Sequence, residues 1–317
     1  MRVRSQSMSR NRLSLEMRRF RGCILGSAAG DALGAPVEDM TRRQITGQFG
    51  RVTNYVDNPR KSVRPGEWTD DTALTWATMS AIVDGGEVDA KNISSAMRMM
   101  FDLHPDRGYG LTTRRALSGE KDRHLRPANG AAMRIAPVAL FSCLDVETMR
   151  TQVIDISRIT HRHRDSIDGA LAIAFAIASA ARAELQPNRI ILETIRFLGA
   201  TTEMSYKLQE VQDLLDNEAI STEQALAHIG TRRNVLESVG SAFYAFLKSP
   251  DDFYRSVTEA VNAGGDTDTI ASLTGALSGA YNGLEGIPRK WVNNLEAKPA
   301  IDEYSQRLYE SAMLQIA

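Results

Sequence analysis

TDDTALTWATMSAIV, residues 69–83, spaces its apolar side chains at a 3.6-residue period and runs into Gly85-Gly86. That period puts them on one face of a helix, and the paired glycines end it. The same rhythm recurs over residues 92–101, which His104-Pro105 stops, and over 131–140, 146–159 and 168–185. It returns over 189–197, 203–215, 234–247, 252–263 and 267–281, and in a C-terminal stretch from about Ala300. Alternating runs are short and few, the best being 52–56. The expected fold is all-α: many short helices around one core, with connections too short for a clear domain boundary.

Two segments carry a second pattern. Gly22, Gly26, Gly30 and Gly34 recur every fourth residue, as do Gly275, Gly279 and Gly283. Four-residue spacing lines them along one ridge of a helix. Glycine inside a helix costs about 1 kcal/mol relative to alanine, so close backbone approach must offset that cost. Arg21, Asp31 and Glu38 interrupt the segment too early for a pair of membrane spans. Tight helix–helix packing is the expectation.

The chain has 317 residues, 43% hydrophobic, with 38 Lys+Arg against 39 Asp+Glu. This is enough for a sizeable buried core, and no apolar run approaches a bilayer span of about 20 residues. A net charge of -1 argues against a nucleic-acid coat. Cys23 and Cys143 are the only cysteines, too few for a disulfide framework or a four-sulfur metal site. A reducing, cytoplasmic setting is expected. Charge is concentrated at the start, where residues 1–21 hold seven arginines and one acid, Glu16. Residues 1–19 are expected to form a basic arm and 20–317 the folded domain.

The strongest chemical signal is Trp68-Thr69-Asp70-Asp71-Thr72, with a counterpart in Gly264-Gly265-Asp266-Thr267-Asp268-Thr269. Each opens an apolar helical run, where carboxylates and hydroxyls can cap the helix N-terminus. Capping needs one such residue per helix, whereas two acids flanked by hydroxyls occur here twice. No Lys or Arg occurs from 65 to 90 or from 256 to 288. Unpaired anions beside apolar helices must find cations elsewhere or take up protons. Four carboxylates with threonine hydroxyls are hard oxygen donors that suit Mg²⁺, Mn²⁺ or Ca²⁺ rather than zinc. Two clusters suggest a two-metal site, with ions about 3.5–4 Å apart. Between the first glycine ridge and these clusters, Pro36 should end the helix and leave Glu38 on a loop.

The set GDALGAPVE (30–38), WTDDTA (68–73), RGYG (107–110), NGAAMRIAP (129–137), THRHRDSIDGA (160–170) and GGDTDTIA (264–271) resembles the ADP-ribosylglycohydrolase family. The resemblance extends from about residue 20 to 285, and its motifs fall in family order. It implies an all-α fold with a cleft holding two divalent ions, Mg²⁺ or Mn²⁺. By motif it implies Thr69, Asp70, Asp71, Asp266, Asp268 and Thr269 as metal ligands. It implies Glu38 near the scissile bond, with Asp70 and Asp268 sharing the catalytic role. Asp31, Gly108, Tyr109, Gly110, Asn129, Gly130 and His161 are implied to bind substrate, while His163 is not. Arg126-Pro127-Ala128 stands where some relatives carry an aromatic residue, so adenine stacking is expected from Tyr109 or Phe141.

The activity implied is hydrolysis of the bond between ADP-ribose and a protein side chain, arginine preferred, through an oxocarbenium-like transition state. Some bacterial relatives are immunity proteins against ADP-ribosyltransferase toxins. That resemblance implies a second use for residues 1–19, as a plug for a toxin's arginine-accepting site. A non-catalytic ADP-ribose binder is a third alternative. No P-loop, HExxH, CxxC or GxSxG motif is present.

Overall fold

A computed structural model describes residues 15–61, 63–120 and 126–315. They form sixteen α-helices: α1 (Met17–Gly34), α2 (Arg42–Phe49), α3 (Asp70–Gly85), α4 (Ala90–Leu103), α5 (Leu111–Leu117), α6 (Ala136–Phe141), α7 (Val146–Arg158) and α8 (Arg164–Ala181), then α9 (Ile190–Leu198), α10 (Glu203–Asp216), α11 (Thr222–Ile229), α12 (Val235–Lys248), α13 (Phe253–Asn262), α14 (Thr267–Asn282), α15 (Arg289–Asn293) and α16 (Lys298–Leu314). Among the described residues there are no strands, only the isolated bridges Thr41–Gly264 and Ala128–Asn234.

The molecule is built around α1 and α14, which are buried nearly from end to end. Helices surrounded on all sides need no polar face, so neither carries the one-sided apolar stripe of a surface helix. The two glycine ridges meet. A Cβ placed on Gly22, Gly26 or Gly30 would strike the backbone carbonyl of Gly279, Gly275 or Ala271 respectively. At Gly34 it would strike Thr267. The order reverses along the second helix, so the pair is antiparallel, and the C-terminal end of α1 reaches the N-terminal end of α14. Gly283 follows α14 at φ +77°, where glycine ends a helix without strain, and its backbone still lies against Gly22.

Two expectations are corrected. Residues 52–56 form a loop, not a strand, because the Asn262 side chain takes the place of a neighbouring strand. It accepts from the Val52 N–H at 2.9 Å and donates to the Val52 carbonyl at 2.8 Å. The helix expected from 131 begins at Ala136, fixed by Pro137 in its first turn, and 131–135 form turns. Residues 15–19 of the expected arm are also packed into the fold. Leu15 is buried, α1 starts at Met17, and Arg19 donates to the carbonyls of Ala180, Ala280 and Tyr281. Those carbonyls lie at the C-terminal ends of α8 and α14, where no helical partner remains and a cation is favoured. Residues 1–14, and with them most of the proposed plug, lie outside the described residues. No helix of the structure is long and apolar enough to cross a membrane.

Candidate active site and metal centre

Pro36 does end α1. A single turn of 3-10 helix, Ala35–Val37, follows Gly34, and Glu38 leaves it in extended geometry. The next residues are laced to the second acidic segment. Asp39, at φ +65°, donates its N–H to the Gly265 carbonyl, and the Gly265 N–H returns to Met40, both at 2.8 Å. Gly264 and Gly265 take φ of +83° and +82°, a left-handed pair that other residues adopt only with strain. This lacing brings Glu38 to Asp266 and Asp268, whose facing oxygens all lie within 4.8 Å of one another.

The first acidic segment arrives on α3. Thr69 caps that helix, accepting from the Asp71 N–H at 3.3 Å. Asp70 and Asp71 thus stand in the first turn without being the cap. Thr269 donates to Asp71 at 3.3 Å across 198 positions of sequence. One cleft of about 400 Å³ is lined by Glu38, Asp70, Asp71, Asp266, Asp268 and Thr269, together with Gly108, Gly110, Asn129, Gly130 and His161. Asn129 donates to Asp266 at 2.5 Å. The Gly130 Cα lies so close that a Cβ there would sit 2.5 Å from His161 Cε1, so the glycine makes room for the imidazole.

Two expected substrate contacts, Asp31 and Tyr109, lie away from the cleft lining. Asp31 is fully buried and does not line the cleft. Its carboxylate accepts four donors, the N–H and hydroxyl of both Thr69 and Thr72, and so fixes the start of α3. Tyr109 is buried edge-on against Phe101, 4.9 Å between ring centres, and Phe141 is buried in α6. Neither lines the cleft, so neither is placed to stack on adenine. The Gly110 N–H points to the Asp70 carboxylate rather than to an open phosphate site. His163 caps α8 by accepting the Asp165 N–H at 3.2 Å.

The electrostatics follow from burial. Asp70 is pushed up to about 8, first by loss of solvent and then by Asp31, Glu38 and Asp266. Asp71 and Asp268 are driven well above the usual carboxylate range for the same leading reason. Asp266 rises to about 6 by burial, held back by Arg233 and the Asn129 hydrogen bond. His161, buried near Arg134, is lowered to about 3 and is therefore neutral, with Nδ1 bonded to the Thr160 hydroxyl at 2.7 Å.

The cations that the local sequence lacks come from elsewhere. Arg233 pairs with Glu38, grips both oxygens of Asp39 at 2.8 and 3.0 Å, and lies 3.6 Å from Asp266. Lys61 reaches Glu38 at 3.2 Å. Asp70, Asp71 and Asp268 have no ion-pair partner among the described residues, and Asp71 Oδ1 is buried without a hydrogen bond. Sequence reasoning missed Arg233, Lys61 and the buried Arg134, which donates to the carbonyls of Gly130 and Ile156 behind the imidazole. An arginine four residues after Gly130, inside an apolar run, was the one available signal for Arg134.

A family model described as ADP-ribosylglycohydrolase matches residues 12–316. This chain belongs to the ADP-ribosylglycohydrolase family. It is 31% identical to an uncharacterized protein of Archaeoglobus fulgidus, over 93% of this chain and 97% of that one. It is 29% identical to the ADP-ribosyl-[dinitrogen reductase] glycohydrolase of Rhodospirillum rubrum, covering 87% of this chain and 90% of the relative. The human ADP-ribosylhydrolase ARH3 is 26% identical, at 92% and 93% coverage. A solved structure titled ADP-ribosylglycohydrolase-related protein complex superposes with a TM-score of 0.77 at 26% identity, over 94% of this chain and 99% of that one. The family's all-α fold is the fold observed.

Proposed function

We propose that this chain is a metal-dependent hydrolase that frees ADP-ribose from modified protein side chains, with arginine as the preferred acceptor. One observation carries this reading. Five carboxylates from distant segments meet in one cleft, and three of them have no cation partner among the described residues. Such a gathering of buried negative charge is stable only with protons or bound cations. The names of the relatives support ADP-ribose as the group released.

The donor set fits two divalent ions of the Mg²⁺ or Mn²⁺ type. Asp70, Asp71, Asp266, Asp268 and Glu38 offer carboxylate oxygens, Thr69 and Thr269 offer hydroxyls, and Asp71 Oδ1 is buried with its lone pairs unclaimed. When bound, such ions supply Lewis acidity and fixed positive charge. The reaction adds water across the glycosidic bond. The water oxygen bonds to the ribose carbon as the bond to the acceptor breaks, and the acceptor leaves with a proton. Glu38, partly exposed at 21%, is the carboxylate we assign to take the water proton. The surrounding acids stabilise the positive charge of an oxocarbenium-like transition state. His161, held neutral, and Asn129 line the cleft as polar contacts for the sugar.

The arginine preference draws support from Arg233, whose guanidinium already rests on Glu38 and Asp39. Carboxylates that hold one guanidinium are suited to another. The test is release of ADP-ribose from arginine- and serine-linked substrates by metal-stripped protein with Mg²⁺ or Mn²⁺ restored. Release from arginine only with metal is the expected result. Full activity in EDTA would overturn the metal reading, and release from serine alone would overturn the acceptor preference.

A further inference from the structure

A second chamber, also about 400 Å³, adjoins the acidic cluster. It shares Glu38, Gly108 and Asp268 with the first chamber, so the cluster stands at the junction of the two. We propose that the first chamber takes the ADP-ribosyl group and the second takes the acceptor side chain with the protein segment that carries it. This rests on the hydrolase reading above.

A substrate cleaved at the cluster extends to both sides of the bond being broken, and each chamber is within the usual size range of a ligand pocket. Charge decides which half goes where. Outside the cluster, the charged residues among the described lining of the first chamber are Arg126 and Arg233; Arg233 is already held by Glu38 and Asp39, whereas Arg126 has no ion pair among the described residues and suits a diphosphate. In the second chamber the cations are already engaged. Arg107 is held by Glu67 at 3.2 Å and Glu296 at 2.8 Å and lies over the Trp68 ring, and Lys61 is held by Glu38. Asp106, by contrast, has no ion pair among the described residues, so the chamber's remaining charge repels a diphosphate and favours a cationic acceptor.

The rim points to a polypeptide. Leu103, 65% exposed at the end of α4, borders the second chamber beside Val63 and Pro105. A lone exposed leucine is unremarkable on a surface. At the mouth of a chamber that opens on reactive carboxylates, it offers apolar contact to residues flanking the modified side chain.

The test uses Leu103→Glu, Asp106→Arg and, as a first-chamber control, Arg126→Glu, all exposed positions that leave the core untouched. Each variant is assayed on a linkage that the wild-type enzyme cleaves, once as the free ADP-ribosylated amino acid and once within a protein. ADP-ribose binding is measured alongside. Leu103→Glu should raise the KM on the protein-linked substrate about tenfold and leave the KM on the free amino acid within about twofold, Asp106→Arg should raise both, and ADP-ribose affinity should stay within about twofold in each. Arg126→Glu should weaken both substrates and ADP-ribose together. Equal effects of Leu103→Glu on both substrates, loss of ADP-ribose affinity in either second-chamber variant, or no effect of either variant, overturn the assignment. A wild-type enzyme that cleaves neither form overturns the hydrolase reading, and the chamber assignment goes with it.

Discussion

Arg233 lays its guanidinium across Glu38 and Asp39, and so puts a positive charge at the edge of the carboxylate cluster from a helix-flanking loop that neither acidic motif contains. The charge lowers repulsion there while competing with any ion that Glu38 and Asp266 would bind. Arg233→Gln should therefore tighten Mn²⁺ binding by roughly three- to tenfold, a modest change because the side chain is half exposed. Calorimetric titration of metal-stripped protein reads this directly, and weaker binding would show that Arg233 orders the site instead.

The four buried aspartates of the cleft are held above their ordinary range, which fixes the sign of a pH effect in metal-stripped protein. The unfolded chain ionises its aspartates near 4, whereas Asp266 and Asp70 in the folded chain keep their protons to about 6 and about 8. Between those limits the folded state binds more protons than the unfolded one, so stability falls as pH rises from about 4 through about 8. Thermal melts in EDTA should show this decline above pH 5. Saturating Mn²⁺ should remove most of it, with proton release on binding.

Asp268→Asn separates stability from activity. Removing one ionisable member of the cluster relieves repulsion, so at pH 8 in EDTA the variant should melt at or above the wild-type temperature. Its ADP-ribose release should fall by about two orders of magnitude or more, and Mn²⁺ should no longer raise its melting temperature. A variant that loses stability without metal would point to a structural carboxylate.

The glycine contact is testable with a control in the same chain. Gly26→Ala forces a methyl group into the Gly275 backbone and should cost about 3 kcal/mol or more, since backbone cannot swing aside as a side chain can. Gly47→Ala, in α2 with nothing near its added carbon, should instead stabilise by about 0.5–1 kcal/mol. Denaturant midpoints of the two variants should move in opposite directions.

Sequence pattern revealed what is local. Helical periodicity, the four-residue glycine spacing and the doubled acids are all visible within twenty residues, and each corresponds to an observed feature. The stop at Pro36, which leaves Glu38 free of its helix, was legible for the same reason. What escaped depends on neighbours distant in sequence. Asp31 sits in a motif beside Glu38, yet its four bonds go to α3. Tyr109 lies between two cleft-lining glycines, yet its ring turns into the core against Phe101. Residues 52–56 look like a strand because nothing local announces the amide of Asn262, and Arg233 is one of several arginines until the fold brings it to Asp39.

The seam between α1 and α14 also limits how the cleft can move. Interlocked backbones allow one register alone, because a slip of a single turn would carry Glu38 about 5.4 Å away from Asp268. Sliding of the two central rods is thereby barred, which leaves any widening of the entrance to segments outside that pair. New clients can be accommodated by rewriting that periphery while the reactive hub stays as it is.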